Sequence, residues 1–243
     1  MSDPIDFSKR AHLDEEMDGP CSYEDLRECL RDLAAVNRLT RAHRPILQWL
    51  DRLFRARVGR RDPLRIVDFG CGYGDMLRRI EDLAATRGVP VDLIGADINP
   101  NAIRAAREST PAESRIIWAD GDMYSSAEIK NVDVVTTCGV LHHLTEEEIV
   151  RFLRWSEEHA RVGWFVVDLH RKPVPYYVFS LLMRGRWWHR FIRPDGMRSI
   201  RRSFLAEDWE RMCTAAGIDL GSVRIEEYRP ARLCVERLKT TFE

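Results

Sequence analysis

The chain has 243 residues, of which 44% are hydrophobic and 32% are charged. This composition is typical of a globular protein and excludes a disordered chain, and the length suits one α/β domain with additional elements. The 38 basic and 39 acidic residues give a formal net charge of −1, so no overall positive field attracts nucleic acid. We therefore expect no nucleic-acid partner.

The six cysteines form no C-x-x-C pair, which excludes zinc-ribbon and thioredoxin-like sites. We expect reduced thiols, no bound metal and a cytoplasmic protein. Residues 1–20 lack the apolar segment of a signal peptide, and the longest apolar run, around residues 176–183, is far too short to span a membrane.

The first part of the chain is predicted to be an N-terminal helical cap over residues 1–58. Residues 1–20 are polar and are expected to be mobile or to lie over the surface. An S-x-x-D motif at Ser22 starts a helix over 22–36, and helical spacing of apolar residues predicts a second helix over 42–57.

The remaining residues, 59–243, alternate between strands and helices. Strands are predicted at 64–70, 91–98, 115–120, 132–139 and 163–169, and helices at 75–87, 101–108 and 146–160. A further helix at 205–216 and two antiparallel strands at 222–228 and 231–238 complete the chain. This alternation predicts an α/β fold with a doubly wound, seven-stranded, mostly parallel sheet.

A glycine-rich turn follows the first strand in the sequence VDFGCGYG (67–74). Its G-x-G-x-G spacing departs from the G-x-G-x-x-G of nicotinamide-binding proteins. Asp68 can meet a cationic amine, and free amides at the following helix start favour an anion such as a carboxylate. Asp97 ends the second strand, where a carboxylate reaches ribose hydroxyls in such sheets.

Four segments resemble the class I methyltransferase superfamily: VDFGCGYG (67–74), IGADIN (94–99), WADGDM (118–123) and TTCGVLHHL (136–144). The resemblance implies a Rossmann-like fold and S-adenosyl-L-methionine as cofactor. It places Gly70 and Gly72 at the methionine part, Asp97 at the ribose, and an acidic residue after the third strand at the adenine. The flanking helices look like those of bacterial methyltransferases that act on quinones and phenols.

The residues predicted to bind the cofactor are Asp68, Gly70, Cys71, Gly72, Asp97, Ile98, Asp122, Met123 and Cys138. Asp120 is the alternative to Asp122 at the adenine. We prefer Asp122 because Met123 beside it can pack on the ring. A redox role for Cys71 is the less favoured interpretation.

The predicted catalytic residues are His142 and His143, which follow the fourth strand at the ligand-binding edge of the sheet. Either could act as general base, and the alternative is that both orient the loop before the next helix. His170 is a second candidate, with a surface turn as its alternative, and His189 is expected to be structural or exposed to solvent.

Residues 171–203 interrupt the alternation and are predicted to form an inserted lid. Aromatic side chains would line an apolar acceptor pocket, and arginines could meet an anionic group, although a packed helical cap is an equally good interpretation. The aromatic residues are Tyr176, Tyr177, Phe179, Trp187 and Trp188, and the arginines are Arg186, Arg190, Arg193 and Arg198.

The sequence therefore predicts methyl transfer from S-adenosylmethionine to a small, phenolic or quinone-like acceptor, with oxygen favoured over carbon or nitrogen. A non-catalytic cofactor-binding regulatory subunit and a nicotinamide oxidoreductase are the alternatives. The oligomeric state is open between a monomer and a homodimer.

Overall fold

The computed structural model describes residues 5–122, 124, 126, 129–184 and 188–239. A seven-stranded sheet with the order β3-β2-β1-β4-β5-β7-β6 runs through it. The strands are β1 (Leu64–Phe69), β2 (Val91–Asp97), β3 (Ile117–Asp120), β4 (Val134–Cys138), β5 (Gly163–Leu169), β6 (Val223–Tyr228) and β7 (Arg232–Leu238). The first five strands are parallel, whereas β7 is antiparallel to both β5 and β6. The predicted fold class is confirmed.

The described residues form eight α-helices. These are α1 (Tyr23–Leu39), α2 (Arg44–Arg57), α3 (Asp75–Arg87), α4 (Pro100–Glu108), α5 (Glu146–His159), α6 (Pro173–Leu182), α7 (Ile192–Arg202) and α8 (Ala206–Ala215). Their starts follow local signals: the Ser22 side chain accepts from the amide of Asp25 at α1, and Thr145 and Glu148 form a capping box at α5. None of the described helices is both long and apolar enough to cross a membrane.

Helices cover both faces of the sheet. The apolar faces of α2, α3 and α4 pack on one side, where Trp49 and Phe54 of α2 join the same cluster as Ile66 of β1. On the other side α5 and α8 pack around Phe152, Trp164 and Trp209. Because both faces are buried, the polar groups of the fold gather at the carboxyl edge of the parallel strands.

The described part of the N-terminal segment, residues 5–20, lies against the lid region. The amide of Ala11 donates to the carbonyl of Arg201, and a short 3₁₀-helix spans Glu16–Asp18. Glu15 is only 4% exposed. Of the two expectations for this segment, surface packing is therefore the one that its described residues adopt.

Candidate active site

The glycine turn after β1 depends on three residues with left-handed backbone, because Gly70, Gly72 and Gly74 have φ values of 67°, 52° and 74°. A Cβ on Gly70 would lie 2.5 Å from Val140, and one on Gly74 would lie 2.3 Å from Trp118. At Gly72, by contrast, the nearest atom to an added Cβ is 3.7 Å away. The turn thus packs tightly at both ends and leaves space at its centre for a close-lying ligand.

Asp68 lies directly below this turn and is 2% exposed. Its carboxyl accepts a hydrogen bond from Thr136 Oγ1 at 3.2 Å. Burial raises the pKa of Asp68 well above its ordinary value, and the nearby charges of Asp75 and Asp97 act in the same direction. Within the described chain no arginine, lysine or histidine forms an ion pair with it. A buried carboxyl without a cation fits the ammonium group of an amino-acid-bearing cofactor.

Asp97 connects the end of β2 to the glycine turn. Its Oδ2 accepts from the amide of Gly72 at 3.0 Å, and its Oδ1 accepts from the amide of Asn99 at 2.9 Å. Burial raises the pKa of Asp97, although the two amide hydrogen bonds oppose the change. Next to it, the side chain of Ile98 is 80% exposed. Its apolar surface is therefore accessible to a ligand.

The two acidic candidates for the adenine lie at the same sheet edge. Asp120 ends β3 and is the register partner of Asp97, while Asp122 follows two residues later. Both side chains are exposed, and Asp122 Oδ1 accepts from the amide of Tyr124 at 3.1 Å. Met123 lies outside the described residues.

The two cysteines predicted near the cofactor have different surroundings. The Cys71 side chain is buried in the core beneath the turn, and burial raises its pKa well above the ordinary value. It is therefore a thiol and not a reactive thiolate. Cys138 ends β4, is half-buried, and has its pKa raised by burial as well.

His142 is held by a carboxylate from the neighbouring strand. Its Nδ1 lies 2.7 Å from Oδ1 of Asp168, which is completely buried, and its backbone amide donates to Oδ2 of the same residue at 3.2 Å. Its Nε2 lies 3.7 Å from Glu15 and forms no hydrogen bond within the described chain. The carboxylate fixes Nδ1 as the protonated nitrogen, which leaves Nε2 as the basic one.

His143 points to the N-terminal segment and is less buried than its neighbour. Its Nδ1 lies 3.0 Å from Asp18, and its Nε2 lies 3.8 Å from Glu15. Burial opposes protonation of the ring, but the hydrogen bond to Asp18 and the charge of Glu15 outweigh it and raise the pKa of His143. Its environment therefore favours an ion pair.

A cavity of about 280 Å³ opens beside both histidines. It lies between the N-terminal helix α1, the end of β4 and the lid helices α6 and α7. Its walls are mostly apolar, and those from the lid are Val174, Pro175, Val178, Phe179, Leu182, Phe191, Ile192 and Ile200. An apolar cavity with few polar groups is the usual form of a small-molecule site.

The sequence matches known methyltransferases. Residues 66–163 match the family model of a methyltransferase domain. A trans-aconitate 2-methyltransferase from Mycolicibacterium gilvum is 30% identical over 138 residues, which are 55% of this chain and 50% of that protein. A ubiquinone biosynthesis O-methyltransferase from Leptothrix cholodnii is 26% identical over 200 residues, 76% of this chain and 74% of that protein.

The chain therefore carries a methyltransferase domain over residues 66–163 and is similar to methyltransferases on both sides of it. Members of this family use S-adenosylmethionine as the methyl donor. The glycine turn and the orphaned carboxyl of Asp68 fit that cofactor. The match to the trans-aconitate enzyme spans half of that relative's length.

Solved structures of methyltransferases share the fold. The plantazolicin methyltransferase BpumL, in complex with S-adenosylhomocysteine and a substrate analogue, superposes with a TM-score of 0.63 at 14% identity, covering 90% of this chain and 97% of that one. The magnesium protoporphyrin IX methyltransferase of Synechocystis PCC 6803, with bound S-adenosylhomocysteine, gives 0.54 at 16% identity and 83% of each chain.

The aromatic residues of the lid divide between the two interpretations that the sequence left open, a wall of the cavity and a packed helical cap. Of the predicted aromatic walls, Phe179 lines the cavity, whereas Tyr176 packs against Phe7 and Tyr177 is 60% exposed. Trp188 packs in a cluster beside α1. Trp187 and Arg186 lie outside the described residues.

The lid arginines form pairs within the protein. Arg190 pairs with Asp25 at 2.9 Å, and Arg198 pairs with Asp195 at 2.8 Å. Arg193 donates to the carbonyl and hydroxyl of Ser180. None of these three lines the cavity. These pairs favour the packed helical cap for the three arginines, and a contact with an anionic group of the acceptor stays a prediction.

His170 and His189 both lie away from this cavity, and the burial of His170 contradicts its alternative as a surface turn. His170 is buried in a bridge with Phe204, faces Glu227 at 3.8 Å, and has its pKa lowered by burial. His189 lies 3.4 Å from Asp25 of α1, and its amide donates to Asp32. Neither lines the cavity.

Three polar residues at this site were not identified from the sequence: Glu15, Asp168 and Arg232. Asp168 alone carried a signal, since it lies near the carboxyl end of β5, at the ligand-binding edge. Glu15 lies in a polar N-terminal run, and Arg232 begins the last strand, so neither position carried a sequence motif.

Glu15, His142 and His143 present three ligand-type atoms within 4.8 Å of one another. Arg202 lies 3.6 Å from both Glu15 and Asp18, and Glu15 also accepts from the hydroxyl of Ser199 at 2.9 Å. The guanidinium of Arg202 thus offsets part of the negative charge of these two carboxylates. The cluster is consistent with an ion-pair network, and a site without metal stays a prediction.

Proposed function

We propose that this methyltransferase transfers the methyl group of S-adenosylmethionine to a hydroxyl oxygen of a small, largely apolar acceptor of the phenolic or quinone-like class. The observation that carries the proposal is the Asp168–His142 pair. The Nε2 of His142 forms no hydrogen bond within the described chain, and His142 lines an apolar cavity at the end of β4. A hydroxyl acceptor must lose a proton, and such a pair supplies the base.

We assign the cofactor to residues along the carboxyl edge of β1, β2 and β4. Asp68 would bind the ammonium, and the backbone of Gly70, Cys71 and Gly72 would border the methionine part. Asp97 would bind the ribose. Ile98, Asp122, Met123 and Cys138 are the further contacts that we propose, the first three on the adenine side and Cys138 near the methionine.

S-adenosylmethionine would supply a methyl group that is already activated by its sulfonium. The protein's main task is then alignment, and the apolar walls of the cavity hold the acceptor and exclude water. His142 Nε2 would accept the hydroxyl proton, and Asp168 would stabilise the resulting imidazolium. We assign His143 a positioning role through its bond to Asp18.

Two observations support a phenolic or quinone-like acceptor over other small molecules. The cavity walls are aliphatic and aromatic, which suits a flat ring. The relative with the longer match, at 76% of this chain, is a ubiquinone biosynthesis O-methyltransferase. The trans-aconitate relative instead points to a carboxylic acid.

The same proposal divides the chain into a helical cap over residues 1–58 and a core over 59–243, with 171–203 as an inserted lid over the acceptor. It includes no nucleic-acid partner. The cavity is lined by residues of one chain, so the proposal holds for a monomer and for a homodimer.

The test has two stages. Thermal unfolding should show stabilisation by S-adenosylhomocysteine and none by NADH, because a ligand that binds only the folded state raises its stability. The protein should then convert S-adenosylmethionine to S-adenosylhomocysteine when it is incubated with members of a panel of phenols and hydroquinones. Cofactor binding without turnover on any acceptor, together with tight binding to a second protein, would favour a regulatory subunit instead.

A further inference from the structure

Arg232 is placed where the acceptor would lie. It begins β7, and its register partner is Leu169 at the end of β5. Both residues line the cavity, and among the described residues of the cavity wall Arg232 is the sole arginine or lysine. It comes from the sheet and not from the lid, so its position is fixed by strand pairing on both sides.

The guanidinium of Arg232 has few partners. It donates to Thr40 Oγ1 at 3.2 Å and to the carbonyl of Ala231 at 3.4 Å. Within the described chain it forms no ion pair with a carboxylate. The residue is half-buried, and burial lowers the pKa of its guanidinium. A half-buried guanidinium that forms no ion pair is stabilised when a ligand carboxylate accepts charge-assisted hydrogen bonds from it.

Other arginines near the cavity do not have this property. Arg198 is paired with Asp195, and Arg202 lies near Glu15 and donates to the carbonyl of His143. Their charges are balanced within the protein. Arg232 therefore differs from its neighbours in charge balance.

We propose that Arg232 binds a carboxylate of the methyl acceptor, so that the substrate is an apolar hydroxy acid. This inference rests on the proposed function above. Residues alternate between the two faces of a strand, so Asp168 lies on one face of the sheet and Leu169, with its partner Arg232, on the other. An acceptor lying across the sheet edge would place its carboxylate at Arg232 and its hydroxyl near His142.

The methionine carboxylate of the cofactor is the other possible source of the anion. The charged groups around Asp68, which would hold the cofactor's ammonium, are Asp75 and Asp97. Around Arg232 the charged group is the carboxylate of Asp168, which already binds His142. These different surroundings favour the acceptor as the source.

The experiment measures ligand binding by calorimetry on the full chain saturated with S-adenosylhomocysteine. Protocatechuate and catechol form a matched pair that differs by one carboxylate. The wild type should bind protocatechuate about tenfold to hundredfold more tightly, as expected for a charge-assisted pair. Arg232→Met should abolish the difference, and Arg232→Lys should retain part of it. Arg52→Met, at an exposed arginine that pairs with Glu236, is the control.

Each outcome decides between the assignments. Equal affinity of the wild type for both compounds, or binding of neither, overturns the Arg232 assignment while leaving cofactor binding intact. If Arg232→Met weakens S-adenosylhomocysteine binding and keeps the preference for protocatechuate, the carboxylate belongs to the cofactor and the proposal fails. A wild type that does not bind S-adenosylhomocysteine overturns the proposed function and this inference together. Should Arg232→Met not fold, the wild type and Arg232→Lys still give the comparison.

Discussion

Asp168 binds His142 twice, through Oδ1 to the ring Nδ1 at 2.7 Å and through Oδ2 to the backbone amide at 3.2 Å. The first contact places the ring proton on Nδ1. The second holds the short 3₁₀-helix Leu141–His143, to which His142 belongs. Burial alone would raise the pKa of Asp168, but the charge of His142 and its hydrogen bond lower it, so the residue stays a carboxylate. This pair links the end of β5 to the cavity.

Replacing Asp168 by Asn should reduce the rate of methyl transfer about a hundredfold to ten-thousandfold, because the ring loses its orientation and its stabilising charge. Affinity for S-adenosylhomocysteine should not change. Steady-state kinetics and calorimetry give the two numbers. His143→Gln is the matched comparison and should cost less than about tenfold, since a positioning contact is worth less than the base. Equal losses in both variants would show that His142 is not the base.

Gly74 and Gly88, which border helix α3, offer a pair of variants that separate backbone strain from steric collision. Gly88 has φ 64° with open space around an added Cβ, so Gly88→Ala should cost about 1–2 kcal/mol of unfolding free energy. Gly74 has φ 74° and Trp118 at 2.3 Å, so Gly74→Ala should cost roughly 1–3 kcal/mol more. Urea unfolding measures both. Equal destabilisation would mean that the Trp118 ring moves freely.

Asp97→Ala should weaken S-adenosylhomocysteine binding at least about tenfold, because the carboxylate both faces the ribose position and holds the amide of Gly72 at 3.0 Å. Asp92→Ala, at an exposed position of the same strand, should leave the affinity unchanged. Calorimetric titration of both variants checks this. Unchanged affinity in Asp97→Ala would remove the ribose assignment.

His43 predicts a pH dependence of stability. Burial lowers its pKa to about 4, with Arg79 and Arg232 adding to the shift and Asp75 opposing it. The folded state therefore binds fewer protons than the unfolded state between pH 6.5 and 4. Stability is lost as pH falls through this window, by about 2 kcal/mol between pH 7 and pH 5 for this group.

His43→Gln cannot titrate, so its unfolding free energy should fall less over the same pH range than that of the wild type. Urea unfolding at the two pH values gives the difference. An identical pH dependence in both proteins would mean that the ring of His43 is hydrated in the folded state.

Chelation tests the cluster of Glu15, His142 and His143. Because Arg202 lies 3.6 Å from Glu15, we expect methyl transfer to continue unchanged after dialysis against EDTA. The measurement compares initial rates before and after dialysis. A loss of activity that added zinc restores would identify the cluster as a metal site.

The sequence by itself determined the elements whose signals are local. Helix α3 begins and ends at the predicted residues, Asp75 and Arg87, because glycine turns border it on both sides. Strand β5 also has its predicted bounds. Strands β3 and β4 were predicted to begin two residues too early, and β4 to end one residue too late, since terminal residues pair only where the neighbouring strand extends as far.

The sequence also located the glycine turn, Asp97 and the two histidines, because each lies beside a strand end that a motif marks. It did not reveal which histidine a carboxylate holds. That depends on Asp168, which lies on another strand and reaches His142 only when β4 and β5 pair.

The tertiary structure alone decided the acceptor side of the site. Glu15 meets Ser199 across 184 residues of sequence, and Arg232 reaches the cavity from the start of the last strand. Both are charged residues in polar surroundings, where the sequence predicts exposure. Burial of a charge depends on which distant segments cover it, and hydrophobic periodicity carries no information about that.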